Sequence, residues 1–174
     1  MWKKIGILAI TLWWPISGFA IEQTAPEKVL PGLSGSLDGE PREWFILSYG
    51  NDSNASFIER GDDIDIDITG FVDEEVWEAQ EALSVSLTMR EEELINTVVI
   101  HPLGTSMAPP LYTSEGGDVV VTLTDYERTN QWVHVVGRIQ GVMALQIELG
   151  EPPSREEGIE IDVTFDVKAQ KIEF

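Results

Sequence analysis

Apolar residues recur at every second position over most of this 174-residue chain. The clearest run is Ile159–Lys168, in which apolar and polar side chains alternate without a break. The same period appears at Ile64–Ile68, Leu83–Met89 and Val119–Thr124. Because successive side chains of a β-strand point to opposite faces, a period of two indicates strands with one buried face. The sequence therefore predicts an all-β fold.

Turn-forming segments rich in glycine, proline and asparagine separate these runs, as at 50–54, 104–110 and 150–153. Many short strands divided in this way are typical of two packed sheets. We therefore expect a single antiparallel β-sandwich of about eight to ten strands. Only the segment 72–82 has an apolar spacing that also suits a helix, and an acidic loop is the equal alternative, so at most one short helix is expected there.

One alternating run, from Val133 to Leu149, is longer than a typical strand of about five or six residues. It contains Gly137 and Gly141 at positions that would otherwise carry apolar side chains. Glycine inside a strand often marks a bulge or a sharp bend. We therefore expect the strand to leave one sheet and enter the other at these glycines.

The first 20 residues have the features of a cleavable export signal. Two lysines precede the apolar run Ile5–Trp14, and small residues at Gly18 and Ala20 suit a signal peptidase. An uncleaved anchor is the alternative, but a bilayer span needs about 20 apolar residues. We expect cleavage after residue 20, an N-terminal extension at 21–32 and a β-sandwich domain at 33–174. The mature protein would be exported, to a periplasm or to the extracellular medium.

Acidic residues dominate the charge of the chain, with 31 Asp and Glu against 11 Lys and Arg and a net charge of −20. Removal of Lys3 and Lys4 with the signal would leave 9 basic residues against 31 acidic ones, or −22. This balance disfavours nucleic acid and anionic lipid surfaces, and it suits a basic partner. The alternative is that the charge only keeps an exported protein soluble. The sequence has no cysteine, which excludes disulfides, thiolate metal sites and cysteine nucleophiles.

An acidic strip, formed by Asp63, Asp65 and Asp67, is the candidate metal site. Carboxylates at alternate positions of a strand point to one face at spacings of about 7 Å. Calcium binds several oxygen ligands, so the strip is a candidate calcium site if a neighbouring strand adds ligands. The alternative is a solvated strand face whose charges oppose aggregation.

Two tryptophans are candidates for contact with a partner or ligand. Trp77 lies in an acidic stretch and Trp132 at the mouth of a predicted hairpin. An exposed tryptophan ring stacks on a sugar or fills a pocket in a partner, whereas packing within the protein is the alternative. His101 and His134 lack the spacing of a metal-binding pair.

These features predict an exported, non-catalytic binding module of the cell envelope that recognises a basic partner electrostatically. A calcium-stabilised or carbohydrate-binding β-sandwich module is the first alternative. A hydrolase is the second, although 31 carboxylates single out no catalytic pair. We expect no membrane insertion of the mature chain, because Asp166 and Lys168 share a strand face with the C-terminal Phe174.

Overall fold

The computed structural model describes residues 30–49 and 52–172. The predicted signal at 1–20 lies outside the described residues, as do residues 21–29 of the predicted extension. Every regular element in the described part of the chain is a strand, and the all-β prediction is confirmed. The strands are β1 (Leu33–Leu37), β2 (Glu40–Trp44), β3 (Ser48–Tyr49), β4 (Asp52–Ser53), β5 (Ala55–Arg60), β6 (Asp63–Gly70), β7 (Leu83–Arg90), β8 (Glu93–Pro102), β9 (Leu111–Arg128), β10 (Trp132–Gln146) and β11 (Ser154–Lys171). The described residues contain no helix with the length and hydropathy needed to cross a membrane.

Nine strands form one continuous sheet in the order β10-β9-β8-β7-β6-β5-β11-β1-β2, while β3 pairs with β4. β10 also pairs with β11, so the sheet closes on itself. The closure depends on a short parallel pairing, in which Gln170 and Lys171 of β11 lie opposite Ser56 and Phe57 of β5. A sandwich is compatible with this arrangement, whose other pairings are antiparallel.

One main hydrophobic core fills the space enclosed by the sheet, and the alternating residues identified in the sequence supply it. The burial pattern of β11 alternates strictly from Ile161 to Ala169, and those of β6 and β7 alternate in the same way. Their inward side chains belong to one cluster with Val133, Val135 and Ile139 of β10. The predicted period of two therefore corresponds to the inner and outer faces of these strands.

The segment between β6 and β7 is irregular, and the helical alternative for 72–82 is not adopted. Its main-chain hydrogen bonds include Glu78 N to the Val76 oxygen and Ala82 N to the Ala79 oxygen. Val72 and Val76, which would share the apolar side of a helix, are both exposed. A helix here would therefore bury no apolar stripe, and most helical stability in proteins comes from such burial.

The change of partner expected in β10 at Gly137 and Gly141 does not occur, so that prediction is wrong. The strand that loses a neighbour is β9, which pairs with β10 from Leu111 to Arg128 but with β8 only from Leu111 to Thr113. The residues after Thr113 include Gly116, whose φ of 73° interrupts the strand geometry. β10, in contrast, keeps β11 as its neighbour past both of its glycines.

Candidate functional site

The acidic strip lies on β6, an interior strand between β5 and β7, on the face opposite the core. Asp63 accepts two hydrogen bonds from the guanidinium of Arg90, at 2.6 and 2.8 Å, because the β6–β7 register places these residues opposite each other. This contact holds the pKa of Asp63 below its usual value, against a smaller opposing effect of desolvation. The first carboxylate of the strip is therefore already paired with a cation.

The other two carboxylates of the strip accept hydrogen bonds from hydroxyl groups of β7. Thr88 Oγ1 donates to Asp65 at 2.9 Å, and Ser86 Oγ donates to Asp67 at 2.7 Å. Asp65 also forms an ion pair with Arg60 at 3.2 Å. Within residues 30–49 and 52–172, no group of three or more His, Asp and Glu side chains is arranged to hold a metal ion. The strip is thus a ladder of contacts to neighbouring strands.

Trp77 lies in the segment between β6 and β7, with 44% of its surface exposed and its ring stacked on Phe71 at 6.4 Å. Val72 and Val76 of the same segment are 41% and 42% exposed. The acidic residues of the segment are Asp73, Glu74, Glu75, Glu78 and Glu81. We call residues 72–81 the acidic loop. It presents three apolar side chains, Val72, Val76 and Trp77, among carboxylates.

A groove of about 890 Å³ runs beside the acidic loop, and Trp77 lines one wall. The groove follows the junction where β11 runs parallel to β5, which places Gln170 beside Ser56. The other lining residues are polar except for one: Asp52, Ser53, Ser56, Gln131, Gln170, Lys171 and Ile172. The groove therefore combines one exposed aromatic ring with amide, hydroxyl and charged groups.

Trp132 is half-buried at the start of β10, opposite Gln170 of β11. The Nζ atom of Lys168 lies over its ring, 4.3 Å from the centroid. Trp132 does not line the groove that contains Trp77. The structure therefore does not bring the two candidate tryptophans to one cavity among the described residues.

The two histidines have separate environments. His101 is buried, and its Nδ1 donates to the main-chain oxygen of Ala82 at 2.9 Å. Burial lowers the pKa of His101, and the hydrogen bond to Ala82 opposes this effect. His134 Nε2 lies 2.7 Å from Asp166 on the outer face of β10 and β11. Neither histidine belongs to the groove or to the acidic strip.

The basic side chains of residues 30–49 and 52–172 are all engaged by other side chains. Seven of them form ion pairs with carboxylates, and Lys168 lies over Trp132. The seven are Arg42, Arg60, Arg90, Arg128, Arg138, Arg155 and Lys171. Since the chain has 31 acidic residues and 11 basic ones, its surface retains a large excess of carboxylates after this pairing.

Comparison of the chain with models of known protein families, with characterised proteins and with solved structures gives no match.

Proposed function

We propose that this protein is an exported, non-catalytic interaction module that recognises a basic partner through its acidic surface. The main supporting observation is the acidic loop, which exposes Val72, Val76 and Trp77 among five carboxylates. Complementary charge steers a partner to such a surface, and a tryptophan at the centre of a contact supplies much of the binding energy. The engagement of the described cations leaves the field of this surface negative.

The anchoring of the loop supports this role. Phe71, at the beginning of the segment, stacks on Trp77 and belongs to a small core with Leu47 and Ala82. A rigid apolar anchor loses less entropy on binding than a mobile one. The acidic loop therefore offers a partly preorganised contact surface.

Titration of the purified protein with a short oligolysine peptide tests the proposal. We expect affinity to fall as salt rises, because the contact is electrostatic. Replacing Glu74 and Glu78 with glutamine should weaken binding more than the matched change at Glu156 and Glu157, which are exposed on β11. Equal affinity at low and high salt, or equal effects of the two double variants, would contradict the proposal.

Export is supported by the composition of residues 1–20, in which two lysines precede an apolar run. Expression of the full chain in a bacterial host, followed by fractionation and N-terminal sequencing, tests this step. We expect a product that begins at Ile21 in the periplasm or the medium. A full-length product in the cytoplasm would contradict export.

Carbohydrate binding in the groove is the second candidate. The groove places the exposed Trp77 ring beside the amides of Gln131 and Gln170, and sugars are bound by aromatic stacking together with polar contacts to hydroxyl groups. Screening of neutral oligosaccharides by NMR tests this candidate. We expect Trp77→Ala to abolish a salt-independent interaction that Trp132→Ala leaves intact. No binding by any oligosaccharide, or equal losses in both variants, would count against the groove.

A further inference from the structure

The edge of β9 that faces away from β10 lacks a partner among the described strands beyond Thr113. β10 pairs with β9 from Asp118 to Arg128, whereas the β8 ladder contains only Leu111, Tyr112 and Thr113 of β9. In an antiparallel strand, the N–H and C=O groups of alternate residues point to each edge. The outer edge of β9 therefore presents a row of main-chain donors and acceptors to any strand that approaches.

The sequence along this edge suits pairing with another strand. Val119–Thr124 reads VVVTLT and contains no charged residue, proline or glycine. β-Branched residues of this kind favour strands, and charges or proline are the usual protection of an exposed edge. Val120 is 62% exposed, while Val119, Val121 and Leu123 are only partly buried against the core.

β8 diverges from β9 beside this edge. β8 pairs with β9 only from Ile100 to Pro102. Among the described residues, the part of β8 before Ile100 pairs with β7 alone. Leu94 is partly buried against the same core, and Ile95 is 46% exposed. Both diverging strands therefore carry apolar side chains that are incompletely covered.

Acidic residues surround this apolar region. Glu115 lies where the strands diverge, Asp125 and Glu127 lie further along β9, and Glu91–Glu93 form the β7–β8 turn and the start of β8. The pKa of Tyr126 on β9 is raised, chiefly by burial and against an opposing effect of Arg128. The charge of Glu92 also raises this pKa, so the β7–β8 turn lies near β9. The edge is thus uncharged from Val119 to Thr124 and has acidic residues around it.

We propose that β9 accepts an extended basic segment of the partner as an added strand along Asp118–Tyr126. Main-chain hydrogen bonds would supply affinity, as in other complexes formed by strand addition. Apolar side chains at alternate positions of the segment would cover Val119, Val121 and Leu123. Lysine or arginine at the remaining positions would face the surrounding carboxylates. The basic character of the segment rests on the proposed function, while strand addition rests on the unpaired edge.

Charge favours a basic partner over a second copy of this chain as the occupant. A second copy would bring its own Glu115, Asp125 and Glu127 to the same region, and like charges close to each other disfavour pairing. Each copy also carries a net charge of −20. A basic segment would instead be attracted by the same carboxylates.

The test uses two peptides of equal charge, one alternating lysine and valine and the other identical but N-methylated at every residue. Both retain their lysines, but the methylated peptide has no main-chain N–H to donate. We expect the unmethylated peptide to slow hydrogen exchange of the amides in 118–126 and to bind about tenfold more tightly or better. The amides of β6, which has partners on both edges, should be unaffected.

A pair of protein variants locates the contact. Val120→Lys adds a positive charge on the exposed edge strand and should weaken the unmethylated peptide about tenfold. Leu149→Lys makes the same change of charge at a residue that is 88% exposed in the β10–β11 turn, and it should have little effect. Equal losses in the two variants would overturn the assignment to β9.

The remaining outcomes separate this inference from the proposed function. Equal, salt-sensitive binding of both peptides without protection of β9 would overturn strand addition and leave electrostatic recognition standing. Failure of both peptides to bind at low salt would contradict the proposed function itself. If the amides of β9 are protected from hydrogen exchange without any peptide, and sedimentation shows a dimer, the edge pairs with a second copy of this chain. That result would overturn the proposal of a basic segment as the occupant.

Discussion

Trp44 Nε1 donates a hydrogen bond of 2.9 Å to the main-chain oxygen of Glu81. Trp44 is fully buried, and Glu81 ends the acidic loop with a φ of 58°. An ion pair of 3.2 Å between Arg42 and the Glu81 carboxylate joins the same two regions. The core thereby holds one end of the loop that we propose as the contact surface.

Replacement of Trp44 by phenylalanine should lower the free energy of unfolding by about 1–3 kcal/mol, because the part-buried hydrogen bond to the Glu81 oxygen would lose its donor. Urea denaturation measures this change, and oligolysine titration should show weaker binding because the loop is less firmly held. Trp132→Phe is the matched control, since Trp132 is half-buried, and it should change stability by about 0.5 kcal/mol or less. Equal losses in both variants would contradict a special role for the Trp44 contact.

Local periodicity predicted the strands, because the burial of alternate residues is a property of each strand by itself. The run Ile159–Lys168 is an example, since its apolar residues are the inward residues of β11. Strand pairing is not local, and the sequence pattern did not reveal it. The loss of β8 as a neighbour of β9 beyond Thr113 depends on residues distant in the chain, and so does the parallel contact of β11 with β5.

The candidate sites also combine a local feature that the sequence predicted with strand pairing that it did not reveal. The spacing of Asp63, Asp65 and Asp67 correctly predicts one outer face of a strand. It does not reveal that the β6–β7 register places Arg90, Thr88 and Ser86 opposite these carboxylates. Local spacing at 72–82 suited a helix and a loop equally, and the structure has an irregular segment in which Val72 and Val76 are exposed.

Stability should fall on mild acidification because of His101. Its pKa is lowered from the ordinary value of 6.5, chiefly by burial. Below 6.5 the unfolded state therefore binds protons before the folded state does, and the free energy of unfolding falls until the pH passes the folded pKa. Urea denaturation between neutral pH and pH 5 measures this loss.

The variants His101→Gln and His134→Gln test whether His101 causes this pH dependence of stability. His101→Gln removes the titrating ring and should flatten the dependence in this range. His134→Gln makes the same change on the outer surface and leaves the buried His101 ring in place, so the loss that His101 causes should remain. An unchanged slope in His101→Gln would contradict the prediction.

Arg90→Gln should raise the pKa of Asp63, because the hydrogen bonds from Arg90 are the main cause of its lowered value. Carboxyl NMR titration follows the shift directly. Asp162 serves as an internal control, since Arg138 lowers its pKa through an equivalent pair of hydrogen bonds. The stability that the Asp63 pair contributes should be present above the ordinary value of 3.8 and lost as the pH falls through the folded pKa.

Calcium should raise the melting temperature no more than sodium chloride at the same ionic strength. The carboxylates of the acidic strip already accept hydrogen bonds from Arg90, Thr88 and Ser86, so a bound ion would have to displace these partners. Screening of the net charge of −20 should instead make both salts stabilising. Differential scanning calorimetry measures the two effects. A rise specific to calcium, lost when all three aspartates become asparagine, would establish the strip as a calcium site.

The close approach of Gly137 to Phe165 leaves no room in the core for a side chain at position 137. These residues lie opposite each other on β10 and β11, and a Cβ atom at 137 would lie 2.5 Å from Phe165 Cζ and 2.6 Å from the Thr122 oxygen. Phe165 is buried, so its ring has little room to move away. Gly137→Ala should therefore lower the free energy of unfolding by about 1–3 kcal/mol, the usual cost of overpacking.

Two further variants test the cause of that loss. In the loop after β8, a Cβ atom at Gly104 would meet nothing within 4 Å, so Gly104→Ala should change stability by about 0.5 kcal/mol or less. Phe165→Leu should cost less in the Gly137→Ala background than alone, because the smaller side chain relieves the contact that the alanine creates. Strict additivity in urea denaturation would show that the aromatic ring is not what requires glycine at 137.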